Sequence, residues 1–113
     1  MDKVVDAIAA LGVPGIILLI AISATGLTGA AALTAALATL GPGGMLGGIA
    51  LLGISGWIAK EVSEYGFEEI YKSVFEKLNK EKGVSKADIL KKIDAAWITS
   101  GMKIKLKEHI KNL

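Results

Sequence analysis

From Ala7 to Ala59 the chain carries no charged side chain, a run of 53 residues in a protein of 113. The rest is the opposite: Lys60 to Leu113 holds 12 of the 13 lysines and 9 of the 11 acidic residues. A helix at a water-facing surface needs a polar side, so charges scattered through an ordinary fold do not leave such a gap. The uncharged half must be hidden, in lipid or inside the protein. Its length favours lipid. A hydrocarbon core about 30 Å thick takes about 20 apolar residues per helix, and one lysine at mid-bilayer costs about 2.5–3.5 kcal/mol.

Read along the run, "MDKVVDAIAALGVPGIILLIAISATG" is one helix from about Asp2 to Ala24, interrupted in its apolar stretch only by Asp6. Pro14, between Gly12 and Gly15, marks a break or kink of the kind that membrane helices tolerate. "TGLTG", residues 25–29, is a turn, and "AAALTAALATL" is a helix of half a bilayer's length. Pro42 stops it, a second turn occupies 41–44, and helix resumes at Met45.

The segment "LGPGGMLGGIALLG", residues 40–53, holds six glycines and one proline. It is not a phosphate loop. Counting from Gly41, the dinucleotide pattern would need glycine at Leu46, and the first lysine after the glycines is Lys60, too far for a P-loop. The glycines fit helix packing instead. Gly43 and Gly47, and Gly44 and Gly48, stand four apart, and Gly53, Ser55 and Gly56 extend the small surface. Such spacing lets helices approach closely in lipid, where no hydrophobic force drives them together. Self-association is the expected result.

In the charged half, Ile58, Val62 and Tyr65 share one helical face, whereas Phe67, Ile70, Tyr71, Val74 and Leu78 share another, turned by about half a circle. The flip predicts a break at Gly66. Glu68 and Glu69 open the next helix, Lys77, Lys80 and Lys82 close it, and Gly83 ends it. Ser85 caps a further helix with Asp88 at its third position, Val84 and Ile89 forming a hydrophobic staple. Ile89, Leu90, Ile93, Ala96 and Trp97 make its buried face. After "TSG", Met102, Leu106, Ile110 and Leu113 align on a last helix that carries Lys103, Lys105, Lys107 and Lys111. Trp57, Lys60 and Tyr65 have the makings of a membrane-interface belt, and lysines after the apolar run place the C-terminal region in the cytoplasm.

Chemistry is sparse. With no cysteine, thiolate metal sites and disulfides are excluded. No arginine is present, and a net charge of +2 does not point to nucleic acid. His109, the only histidine, reads as a surface side chain. Glu68 and Glu69 are adjacent and therefore diverge on a helix. Ser23, Thr25, Thr28, Thr34, Thr39 and Ser55 have no base nearby in sequence. Neither an enzyme, a metal nor a cofactor is expected. Asp2 and Asp6 spoil the basic start of a cleavable signal peptide, so the N-terminal segment is read as retained.

Around "ALATLGPGGMLGGIALLGI", over about residues 25–60, the chain resembles small bacterial membrane proteins whose Ala/Gly hairpin turns at a Gly-Gly-Gly-Met-like run before a lysine-rich helical tail. A similar glycine-rich core is found in interferon-inducible membrane proteins of animals, and "SGWIAKEVSEYGFEEIYKSVFEKLNK" resembles helical membrane-active bacteriocins. The resemblance implies membrane insertion by an effector or holin-like protein. The expectation is thus an all-α protein: a hydrophobic transmembrane hairpin over 1–60, then amphipathic cytoplasmic helices over 61–113, at a bacterial inner membrane. It would self-associate into a pore or lesion. Two alternatives stand beside it, a membrane-anchored adaptor whose 67–113 region binds a protein, and a colicin-like helical protein that shelters its hairpin until triggered.

Overall fold

The computed structural model describes residues 1–24, 44–95 and 100–111, and for 44–53 the backbone alone. These residues are all-α and form six helices: α1 (Asp2–Ala10), α2 (Val13–Ala24), α3 (Gly44–Tyr65), α4 (Phe67–Lys82), α5 (Lys86–Ala95) and α6 (Ser100–Lys111). None of the described helices is long and apolar enough to cross a membrane. The turn expected at 25–29, the helix expected at 30–40 and residues 41–43 of the turn expected at 41–44, Pro42 and Gly43 among them, lie outside the described residues, as do Ala96, Trp97 and Leu113; Gly44, expected in that turn, is instead the first residue of α3.

The single helix expected from Asp2 to Ala24 is two helices. The chain breaks at Gly12, whose φ of +73° is a left-handed conformation that only glycine adopts without strain. Pro14 is not the breaking residue. It is the second residue of α2, where a helix leaves its N–H without an intrahelical partner, so the missing donor costs nothing. Just beyond, Gly15 lets the two helices touch: a Cβ there would stand 2.3 Å from the Ile8 carbonyl oxygen and 2.9 Å from Leu11 Cβ.

Local signals govern the rest of the path. Gly66 separates α3 from α4 with φ +85° and ψ +150°, a region nearly closed to residues with a Cβ. The apolar face flips there as its phase requires, with Ile58 buried before it and Ile70, Tyr71, Val74 and Leu78 after it. Gly83 ends α4 in a left-handed conformation, with Val84 N donating to the Leu78 carbonyl at 3.3 Å. Two residues later Ser85 and Asp88 cap each other. Asp88 N donates to Ser85 Oγ at 3.2 Å, and Ser85 N donates to Asp88 Oδ2 at 2.8 Å. Those bonds to Ser85 hold the Asp88 carboxyl below its ordinary range.

One core gathers these elements, and it draws on both halves of the sequence. Val4, Val5, Ile8 and Ala9 of α1 and the whole of Ile16–Ile22 meet Ile58, Ile70, Val74, Leu78, Ile89, Ile93, Leu106 and Ile110. At the centre runs α2, which touches each of the other five described helices.

Candidate functional site

The feature that sets this molecule apart is α2 itself. Gly15, Ile16, Ile17, Leu18, Leu19, Ile20, Ala21 and Ile22 are consecutive and all buried. Eight residues in a row cover more than two turns, so every side of the helix is enclosed. Amphipathic helices bury one stripe; a helix that is apolar all round belongs in the interior of a fold or in a bilayer. Here it is wrapped by helices whose outer faces carry the charges that α2 lacks.

The wrapping is fastened by a small set of polar contacts at the rim. Lys77 of α4 pairs with Asp6 of α1, and Lys82 Nζ donates to the Ala9 carbonyl at 3.4 Å. The N-terminal amine stands 3.8 Å from Glu61 of α3. Between α5 and α6, Asp94 of α5 receives Lys107 Nζ on its carboxylate at 2.8 Å and Lys103 Nζ on its backbone oxygen at 2.6 Å. The Lys107 bond keeps the Asp94 carboxyl below its usual range, and Lys77 is raised chiefly by its bond to Asp6. Exposed pairs of this kind are screened by solvent and contribute little. Apolar burial, not these ties, holds α2 in place.

One fastening reaches α2 directly. His109 Nε2 and Ser23 Oγ share a hydrogen bond of 2.9 Å between the last turns of α6 and α2. The His109 ring packs on Phe67 with centroids 4.5 Å apart, and Phe67, Tyr71 and Phe75 continue as a ladder along α4 at 5.4 and 5.9 Å. Burial lowers the His109 pKa, since the surroundings disfavour its charged form. His109 is therefore not the open surface side chain expected from its charged neighbours, and Ser23 does have a base beside it. The sequence held a clue. His109 follows Leu106 by three positions, on the apolar edge of α6. The pair is still no nucleophile–base unit, because no carboxylate among the described residues is bonded to the ring to orient it.

The remaining sequence-derived sites fall as follows. Gly44, Gly47, Gly48 and Gly53 lie in α3, and their surroundings are outside the described residues. Among the described residues nothing stands within 4 Å of a would-be Cβ on Gly56. Trp57 and Tyr65 are 39% and 49% exposed, and Lys60 is exposed as well. Tyr65 thus departs from the face it was expected to share with buried Ile58. Gly66 and Gly83 are the helix breaks that their spacing announces.

The outer side of α4 carries two shallow grooves. One of about 390 Å³ is lined by Tyr71, Lys72, Phe75, Glu76 and Lys86, the other, of about 330 Å³, by Ser73, Glu76, Lys77, Lys80 and Glu81. The second holds two carboxylates, Glu76 and Glu81, on one helix among Lys77 and Lys80, and its Ser73 hydroxyl donates to the Glu69 carbonyl of its own helix at 3.1 Å. The Tyr71 hydroxyl is buried without a hydrogen-bond partner among the described residues, and burial raises its pKa. Among the described residues no group of three or more His, Cys, Asp or Glu side chains is placed to hold a metal ion. Comparison of the chain with protein-family models, with curated proteins and with solved structures finds no match.

Proposed function

We propose that the chain is a membrane-disrupting protein that stores its apolar segment inside a helical shell and releases it into a bilayer, where copies self-associate into a pore or lesion. The described state is the closed one. The observation that carries this reading is the complete burial of Gly15–Ile22 at the head of a 53-residue stretch without a charge. An ordinary bundle helix needs only one apolar stripe; an apolar surface on all sides, continued over so long a stretch, is what lipid demands. The lack of a membrane-spanning helix among the described residues belongs to the stored form, in which α2 and α3 are parts of a shared core.

In the inserted form the glycines of α3 supply the contact between copies. Gly44 and Gly48 stand four apart, and close approach of backbones is what holds helices together in lipid. Replacing both by leucine is expected to leave insertion intact while reducing the cross-linked oligomer ladder and dye leakage together. An unchanged ladder would remove the glycine face from the mechanism.

The direct test uses purified full-length chain without detergent, mixed with dye-filled vesicles. The expected result is a monomer in buffer that releases dye and then resists carbonate extraction from the vesicles. A chain that stays in solution, releases no dye and washes off would reduce α2 to the centre of an ordinary helical core.

A further inference from the structure

Charge is divided unevenly over the folded chain. From Lys86 to Lys111, the stretch that contains α5 and α6, seven lysines face three carboxylates; the rest of the chain has six lysines and eight carboxylates. The molecule is thus electrically lopsided, with a basic lobe at one end of the sequence and an acidic balance elsewhere. A charge distribution of this kind orients a protein as it approaches a charged surface.

The basic lobe also carries an apolar point. Ile104 is 53% exposed, and it lies on the same side of α6 as Lys111, seven residues on, with Lys105 exposed beside it. Two other lysines of α6 are drawn inward by Asp94: Lys103 to its backbone oxygen and Lys107 to its carboxylate. Lys111 also acts on the Asp94 carboxylate, through its charge, while the hydrogen bonds that fasten α6 to α5 come from Lys103 and Lys107. We propose that the outward face of α6, Ile104 with Lys105 and Lys111, is a docking surface for a bilayer rich in anionic phospholipid.

Three features favour lipid over other anionic partners. Every cation of the lobe is lysine, a compact point charge suited to a diffuse headgroup layer, whereas bidentate reading of single phosphates favours arginine. No exposed aromatic ring is found among the described residues of α5 and α6, so the stacking that single-stranded nucleic acids use is missing there. And the centre of the face is an aliphatic side chain, which gains by entering the headgroup–acyl boundary. The face would meet the bilayer while α2 is still covered. This inference rests on the membrane reading above and adds the orientation of first contact.

The test is co-sedimentation of the full chain with vesicles of phosphatidylcholine alone or mixed with phosphatidylglycerol, at about 0.1 M and about 1 M salt, where screening lengths are about 10 and 3 Å. Binding is expected only to the anionic vesicles at the lower salt. Lys105→Gln with Lys111→Gln should weaken it about 25-fold, since each lysine near an anionic surface contributes about fivefold. Lys72→Gln with Lys80→Gln, on the outside of α4, serves as the control for charge alone and should change it far less; unchanged thermal unfolding shows that both variants fold. Ile104→Ser should also reduce binding at the lower salt. An equal loss in both lysine pairs would overturn the surface, as would tighter, equally lysine-dependent binding to a DNA duplex at the same salt. Two failures are separable. Anionic binding through Lys105 and Lys111 without dye release keeps the surface and removes the pore, while dye release that ignores lipid charge and these lysines keeps the pore and removes the surface.

Discussion

Two residues show how much a single backbone or side-chain position carries here. Gly15 sits where α1 turns back on α2, and a methyl group would press on the Ile8 carbonyl. Gly15→Ala is expected to cost about 1–3 kcal/mol as an overpacked contact, seen as a lower urea midpoint with unchanged slope. Gly66→Ala has all the space it needs but sits at φ +85°, so its penalty of about 1–3 kcal/mol comes from conformation alone. His109 adds a pH dependence. Its folded pKa lies below the ordinary 6.5, so as pH falls through about 6.5 the unfolded chain takes up the proton first and stability drops. Above that range His109 is neutral in both states and contributes no slope. Asp88 and Asp94 have lowered pKa values; their contribution is present above the ordinary carboxyl range and is lost only as pH falls through the lower folded values. Urea midpoints at pH 7.5 and 5.5 should therefore differ in the wild type, and the difference should shrink in His109→Gln. An equal drop in both proteins would assign the slope elsewhere.

Among the elements, α2 makes the sharpest prediction. Leu18 and Ile20 point to opposite sides of the helix, two residues apart, and both are fully buried. Alanine at either should cost about 2–5 kcal/mol. In a one-sided helix one of the two would be nearly silent. Elements are also where sequence and structure can be compared most closely. The stop at Gly66, the end at Gly83 and the Ser85–Asp88 cap follow from chemistry within a few residues, so they could be read directly. The break at Gly12 was legible too, but a membrane setting makes a proline kink acceptable and so draws attention to Pro14 instead. The partners of His109, Ser23 and Phe67, lie 86 and 42 residues away, and local patterns on α6 only hint at its partial burial.

At the scale of the whole molecule, the division into an uncharged and a charged half survives as composition while the core ignores it. Val4 and Ile8 pack in one cluster with Ile93 and Ile110, and the radius of gyration is 12.4 Å, near the roughly 13 Å of a compact domain this size. Periodicity shows which side of each helix is apolar, but not which helix will cover it. A fully apolar segment can be satisfied by lipid or by its own chain, and the two solutions share one sequence signature.

Whether the shell is a cover that opens is best tested by holding it shut. The chain contains no cysteine, so Ser23→Cys with His109→Cys can be joined by a reducible bis-maleimide that fastens α6 to the end of α2. The account predicts that the fastened protein keeps its helical content but loses dye release from anionic vesicles by at least about tenfold, and regains it when the linker is reduced. Dye release by the fastened protein as fast as by the unlinked one would contradict it.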